Sequence, residues 1–313
     1  MLKTSTERLE LRGPTMAAEW TAVCYAPAPG LQAALAAAVE DVEQQMSHWR
    51  PGSDLNRLNA AAPGAWVALP ADLMAVLALG LKVGAATGGA FDMALGDLVA
   101  AWGFGPPARR PDEAAIRALT GKHRQPGADV LELGVGCARR LAPVQFDLSG
   151  IAKGFGVDAM ARVMAARGIA DFLVGIDGEM RAGGTKPGGA PWTVAIETPD
   201  DDAPDHEAPA VAGTVALHDR AIATSGDYRN FVQVGAARVG HTMHPGRAAP
   251  LQNGVAAVSV LAATCAEADA WATALMVLGA QSGVALARAR EIDALVQLRT
   301  PDGIRRIGTG CFA

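Results

Sequence analysis

Apolar residues recur at Leu31, Leu35, Val39, Val42 and Met46, a spacing close to one helical turn that predicts an amphipathic helix over Leu31 to Met46. Further helices are predicted over Leu69 to Ala86, closed by Gly88 and Gly89, and over Asp112 to Thr120, bounded by Pro111 and Gly121. Another spans Val157 to Arg167 and ends at Gly168, and one more starts where Thr264 and Glu267 form a capping box. Strands are predicted at Trp20 to Ala26, Val130 to Leu133, Phe172 to Ile176, Trp192 to Glu197, Val211 to Leu217, Val255 to Ala262 and Ala294 to Leu298. A turn at Pro51, Gly52, Ser53 and Asp54 follows the first helix. Helices separate only some of the strands, so the pattern predicts a mixed α+β protein rather than a doubly wound parallel sheet. No internal repeat is visible.

Composition narrows the function. Of 313 residues half are apolar and 19% charged, which suits one large domain or two closely packed lobes. The formal net charge of -5 leaves no basic surface for a phosphate backbone, so nucleic acid is not expected as a partner. Cys24, Cys137, Cys265 and Cys311 are far apart and form no C-x-x-C pair, which argues for free thiols rather than zinc or redox chemistry. Met1 to Pro14 carries Lys3, Glu7, Arg8, Glu10 and Arg12 and no apolar run, so a cytoplasmic location is expected, or a periplasmic one if a leader has been removed. No stretch of about 18 uninterrupted apolar residues is present, so no membrane span is expected. The acidic segment Pro199 to Pro209 is read as a solvated loop.

Four segments carry candidate chemistry. Phe146-Asp147-Leu148-Ser149-Gly150-Ile151-Ala152-Lys153-Gly154 reads as strand, tight turn and helix start, where free N–H groups, the helix dipole and Lys153 favour a phosphate. It matches neither the P-loop nor the dinucleotide fingerprint. In the helix begun by Thr264, Asp269 and Thr273 are four apart and share a face, and their oxygens suit a hard cation such as Mg²⁺. Gly89-Ala90-Phe91-Asp92 leads into Leu95-Gly96-Asp97-Leu98 and Trp102-Gly103-Phe104-Gly105, two acids among aromatics and glycines. Ala223-Thr224-Ser225-Gly226-Asp227-Tyr228-Arg229-Asn230 reads as a polar loop leading to His241-Thr242-Met243-His244-Pro245, with groups able to bind or move protons.

Taken in order, these segments resemble the ApbE family of FAD:protein FMN transferases over about residues 16–279 of a single 1–313 domain. Met46 to Asn59, Gly175-Ile176-Asp177-Gly178-Glu179 and Lys186-Pro187-Gly188-Gly189 are similar to further motifs of that family. The resemblance implies a two-lobed α+β fold of the T-fold type, with FAD as substrate in the cleft between the lobes. It implies Mg²⁺ on the Gly150 carbonyl, Asp269 and Thr273, and FAD contacts from Met16, Trp49, Ala90, Phe91, Asp92, Asp147, Lys153 and His241, with Ser225 and Tyr228 nearby. A threonine of an acceptor protein, a redox subunit, would attack the FMN phosphorus and release AMP. Lys153 would stabilise charge, and His241 or Asp269 would take the proton, His241 being favoured because a metal-bound carboxylate is less basic. Water in place of threonine would make the protein an FAD pyrophosphatase, and an incomplete metal site a flavin-binding protein without turnover. Departures from the family pattern are His244 where an acid is usual, Ala17-Ala18 for Gly-Thr, and Trp49 for tyrosine.

Overall fold

Leu9 and Leu11 alternate with exposed Glu10 and Arg12, the period of two that half-buries an edge strand. This strand, β1 (Leu9–Thr15), passes through Met16 and Ala17, at φ 48° and 58°, into β2 (Ala18–Cys24). Two consecutive residues at positive φ form the tight hairpin turn whose twist matches the strands. The computed structural model describes residues 7–26, 29–106, 110–120, 124–200, 210–228, 231–234 and 237–313. Six more strands, β3 (Phe172–Ile176), β4 (Glu179–Gly183), β5 (Ala221–Gly226), β6 (Val255–Ala262), β7 (Asp293–Thr300) and β8 (Gly303–Thr309), complete an eight-stranded sheet. Its strand order follows the chain, and every neighbouring pair is antiparallel.

Long helices enter through two of the connections. Between β2 and β3 come α1 (Leu31–Met46), α2 (Asp54–Ala60), α3 (Ala71–Ala86) and α4 (Ala152–Ala166), and between β6 and β7 comes α5 (Cys265–Ala289). On one face of the sheet, Trp20, Val174 and Ile176 meet Leu35 of α1 and Val157 and Met160 of α4. Farther along that face, Val258, Val260 and Val296 meet Ala272, Leu275 and Met276 of α5. The opposite face is covered by the hairpin Trp192–Glu197 and Val211–Leu217, whose Trp192, Val194 and Ile196 pack on Ile222 and Leu261. A separate apolar cluster of Leu55, Leu58, Leu73, Leu77, Phe91, Phe146 and Leu148 joins the rest through Phe155 of α4 and Ala270 of α5. Each such fully buried large side chain contributes about 1.5–3 kcal/mol.

By length and composition α5 is apolar enough to cross a membrane. Here it is the central core helix, with Asp269 among its buried residues. It kinks at Gly279 (φ 77°, ψ 172°), where the Asn253 side chain donates to the Met276 carbonyl at 2.8 Å.

The mixed α+β expectation holds, as do α1 and the strands Phe172–Ile176, Trp192–Glu197, Val211–Leu217 and Val255–Ala262. Several local expectations do not. Leu131–Gly134 is the strand, and Val130 closes a short helical turn, Gly127–Val130. The turn after α1 contains α2, capped by buried Ser53, whose hydroxyl accepts the Asn56 N–H. Ala223–Gly226, read as part of a polar loop, belongs to the central strand β5, where buried Ala221 and Ile222 pair with both β4 and β6 and Ala223 pairs with β6. Arg229, Asn230 and residues 201–209 of the acidic segment lie outside the described residues.

Candidate active site

The segment before α4 does not form the predicted strand. It runs extended and is clamped by Asn59, whose amide donates to the Phe146 carbonyl at 2.9 Å and accepts the Phe146 N–H at 2.8 Å. Helix α4 starts at Ala152, so Lys153 lies inside its first turn. The expected cradle of free N–H groups is partly filled by the protein's own acids. Ser149 N–H donates to Asp147 Oδ1 at 2.7 Å, and Gly154 N–H donates to Asp269 Oδ2 at 3.0 Å. That contact is possible because residue 154 lacks a side chain: a Cβ there would fall 2.4 Å from the Cys265 carbonyl oxygen.

Three carboxylates gather around one ammonium. Lys153 Nζ is 2.9 Å from Glu179 Oε1 and 3.3 Å from Asp177 Oδ2. Burial alone would lower the Lys153 pKa, but Glu179, Asp177 and Asp269 outweigh it and hold the ammonium above its ordinary range. Asp269 is buried, and that burial, reinforced by Glu179 and opposed by Lys153, pushes its carboxyl up to about 7. Burial likewise raises Glu179, against the pull of Lys153. Asp158 fixes the geometry of this group: it accepts the N–H of Cys265 and of Ala266, both at 2.9 Å, and pairs with Arg181 at 2.6 Å. It thereby ties α4, the start of α5 and β4 together.

One turn beyond Asp269, Thr273 Oγ1 lies 2.9 Å from Ser225 Oγ on β5. Gly150 abuts the same hydroxyl: a Cβ added to it would sit 3.0 Å from Thr273 Oγ1 and 3.4 Å from the Phe91 ring. Gly150, Phe91, Ser225 and Thr273, spread over four segments of the sequence, are therefore neighbours. Among the described residues no three His, Cys, Asp or Glu side chains are grouped to hold a metal. A cation here would draw instead on backbone, hydroxyl and single carboxylate oxygens, a donor set that suits Mg²⁺ better than a softer metal. The residues present fit that ion.

The remaining candidates are placed as follows. Met16 donates its N–H to Glu43 at 3.2 Å, and its methyl group approaches Gly156 of α4. Trp49 is 49% exposed, with its ring 5.4 Å from that of His48. Ala90 donates its N–H to the Thr87 carbonyl at 3.3 Å. Phe91 is buried, whereas Asp92 is spent on structure, accepting the N–H groups of Ala94 and Gly127. Burial raises the Asp92 carboxyl, against those N–H donors. Tyr228 donates to Glu197 at 3.0 Å, and His241 sits edge-on to Phe104 with centroids 6.2 Å apart. His244, which replaces an expected acid, is lowered by burial and by Arg247.

Sequence reasoning assigned no role to Glu179, Asp158, Asn59 or His48. A signal existed for Asp158, a lone acid in the apolar run Gly156-Val157-Asp158-Ala159-Met160, and for Glu179, which closes a quoted motif. Asn59 likewise closes the quoted motif Met46 to Asn59, but the partner that gives it a role, Phe146, is 87 residues away and is not marked locally.

Comparison with known proteins identifies the family. A model of the ApbE family matches residues 16–296, extending past 279 to take in the rest of α5 and the start of β7. The chain is 34% identical to the FAD:protein FMN transferase of Vibrio cholerae serotype O1, over 98% of this chain and 92% of that protein. It is 32% identical to the FAD:protein FMN transferase of Klebsiella pneumoniae, over 94% of this chain and 85% of that one. The structure matches that of the flavin transferase ApbE from Vibrio cholerae with a TM-score of 0.85, covering 97% of both chains. With the family model spanning most of its length, and relatives this similar over nearly all of it, the chain belongs to the ApbE family.

Proposed function

We propose that this protein is an FAD:protein FMN transferase that moves FMN from FAD to a threonine hydroxyl of an acceptor redox protein and releases AMP. The observation that carries the reading is the meeting of Gly150, Thr273 and Ser225, one helical turn from Asp269 in the Lys153 carboxylate group, in a chain similar throughout to transferases of that name. FAD lies between the sheet and the helical cluster that holds Phe91 and Phe146, the two lobes of the molecule. Mg²⁺, held by Asp269, Thr273 and the Gly150 carbonyl, would supply Lewis-acid neutralisation of the pyrophosphate charge.

The chain's own residues do the rest. Ser225 orients the Thr273 hydroxyl. Lys153 screens Glu179 and Asp177, acids that would otherwise repel a pyrophosphate. The threonine oxygen bonds to the FMN phosphorus as the bond to the AMP oxygen breaks. Its proton goes to His241, since Asp269 is committed to the Gly154 N–H and to the cation. His241→Ala should therefore lose most of the transfer rate at neutral pH, and near-normal transfer would remove His241 from the role.

Incubation with FAD, Mg²⁺ and an acceptor domain, followed by intact mass spectrometry, tests the reading. An FMN-sized mass gain with stoichiometric AMP is expected. Free FMN and AMP without labelling would show hydrolysis instead, and absence of turnover would leave flavin binding alone.

A further inference from the structure

A groove separate from the Asp269 group lies at the far end of α4. Lys153 is in the first turn of this helix and Ala165 stands twelve residues on, a separation of about 18 Å along the axis. The groove has a volume of about 350 Å³. It lies between Ala165 and Ile169, at and just beyond the end of α4, Phe172 of β3, Arg181 and Gly183 of β4, and Asp219. That volume falls within the range of small-molecule sites. Gly183 lets the Phe172 ring pack directly on the strand, since a Cβ there would fall 2.5 Å from the ring. Ala165 is exposed and adds only a methyl group, which leaves the helix side of the groove open.

Both signs of charge line this space. Arg181 is partly exposed and gives one N–H to Asp158 at 2.6 Å. A guanidinium has five N–H donors, and Arg181 gives no other to a described residue, so its fork can still take a carboxylate. Three residues farther along the chain, Gly184 donates its N–H to Asp219 Oδ1 at 2.8 Å, which anchors an exposed carboxylate about 10 Å along the strand direction from Arg181. The C-terminal end of α4 adds the negative pole of a helix. Since Asp158 already balances Arg181, the surroundings are negative on balance and repel a phosphate or a dicarboxylate. A molecule with one carboxylate and one ammonium meets a partner for each, and buried Ile169 and Phe172 offer apolar surface beside them.

We propose that this groove binds a small zwitterion with an apolar body, a free α-amino acid or a short peptide. Arg181 takes the carboxylate, Asp219 takes the ammonium, and the apolar part lies on Ile169 and Phe172. The site is distinct from the Lys153 group and does not depend on the reaction carried out there.

Isothermal titration of the full chain with L-leucine and with the dipeptide leucyl-alanine tests this. At least one should bind saturably, and the tighter of the two gives the ligand length. For that ligand, the C-terminal amide, which lacks the anion, and the N-acetyl form, which lacks the cation, should each bind about tenfold or more weakly. Asp219→Asn should weaken the parent ligand about threefold or more and leave the N-acetyl form unchanged, a distinction that general damage to the fold would not produce. Ala165→Phe, at an exposed position, should fill the groove and abolish binding, with melting temperatures confirming that the variant folds. If it does not fold, Asp219→Asn decides. Saturating FAD and inorganic phosphate should leave the affinity unchanged. Absence of saturable binding by both probes overturns the proposal, as do equal binding of parent and analogues, unaltered binding in Asp219→Asn, or displacement by FAD or phosphate, which would put the ligand in the Lys153 group instead.

Discussion

At Asp269 two demands meet, because the buried carboxyl is raised to about 7 and yet must ionise to hold a cation. A folded-state value above the ordinary 3.8 means that the native state keeps a proton that the unfolded chain has released. The stabilisation is then complete below about pH 4 and is lost as pH rises to about 7. Asp269→Asn keeps the shape without the charge. The metal-free variant should melt higher than wild type at pH 8, with the difference shrinking toward pH 4. In wild type the rise in melting temperature on adding Mg²⁺ should grow with pH up to neutrality, and it should be absent in the variant. A cation effect independent of pH, or retained by Asp269→Asn, would refute this. Gly154 gives a second prediction at this scale. Its missing Cβ leaves room for the Cys265 carbonyl, so Gly154→Ala should cost about 3 kcal/mol or more, measured by urea denaturation.

Among the elements, α2 has an influence larger than its seven residues, because Asn56 and Asn59 tie down the loops on both sides of the substrate region. Asn59→Ala would strand the Phe146 N–H and carbonyl in the interior, a loss of about 2–4 kcal/mol by denaturant titration. FAD affinity should fall with it, since Asp147 follows directly. In α5 the kink residue Gly279 has a backbone conformation almost confined to glycine, so Gly279→Ala should cost about 1–3 kcal/mol. Helix α1 and the hairpin over Trp192–Glu197 were legible because their burial is periodic and local. Strand β5 was not, because Thr224, Ser225 and Gly226 read as loop chemistry, and only pairing with β6 makes them strand.

For the whole molecule, the site joins residues from four separated stretches, and a cation bound there would bridge the sheet and the helical cluster. EDTA should abolish the FMN mass gain while leaving the circular dichroism of the fold intact, and excess Mg²⁺ should restore the transfer. Unfolding on chelation would mean instead that the cation is structural. The sequence by itself determined the main helices, the mixed α+β class, the family, and the oxygen-bearing residues Asp269 and Thr273 on one helical face. All of these depend on spacing within one segment, or on segments met in order. Only the tertiary structure decided that Asp269 caps α4, that Lys153 is held between Glu179 and Asp177, and that Thr273 meets Ser225. It alone also set His48 against Asp147. Those contacts arise where elements distant in sequence are packed together, and burial then sets the charge states, which no local spacing encodes.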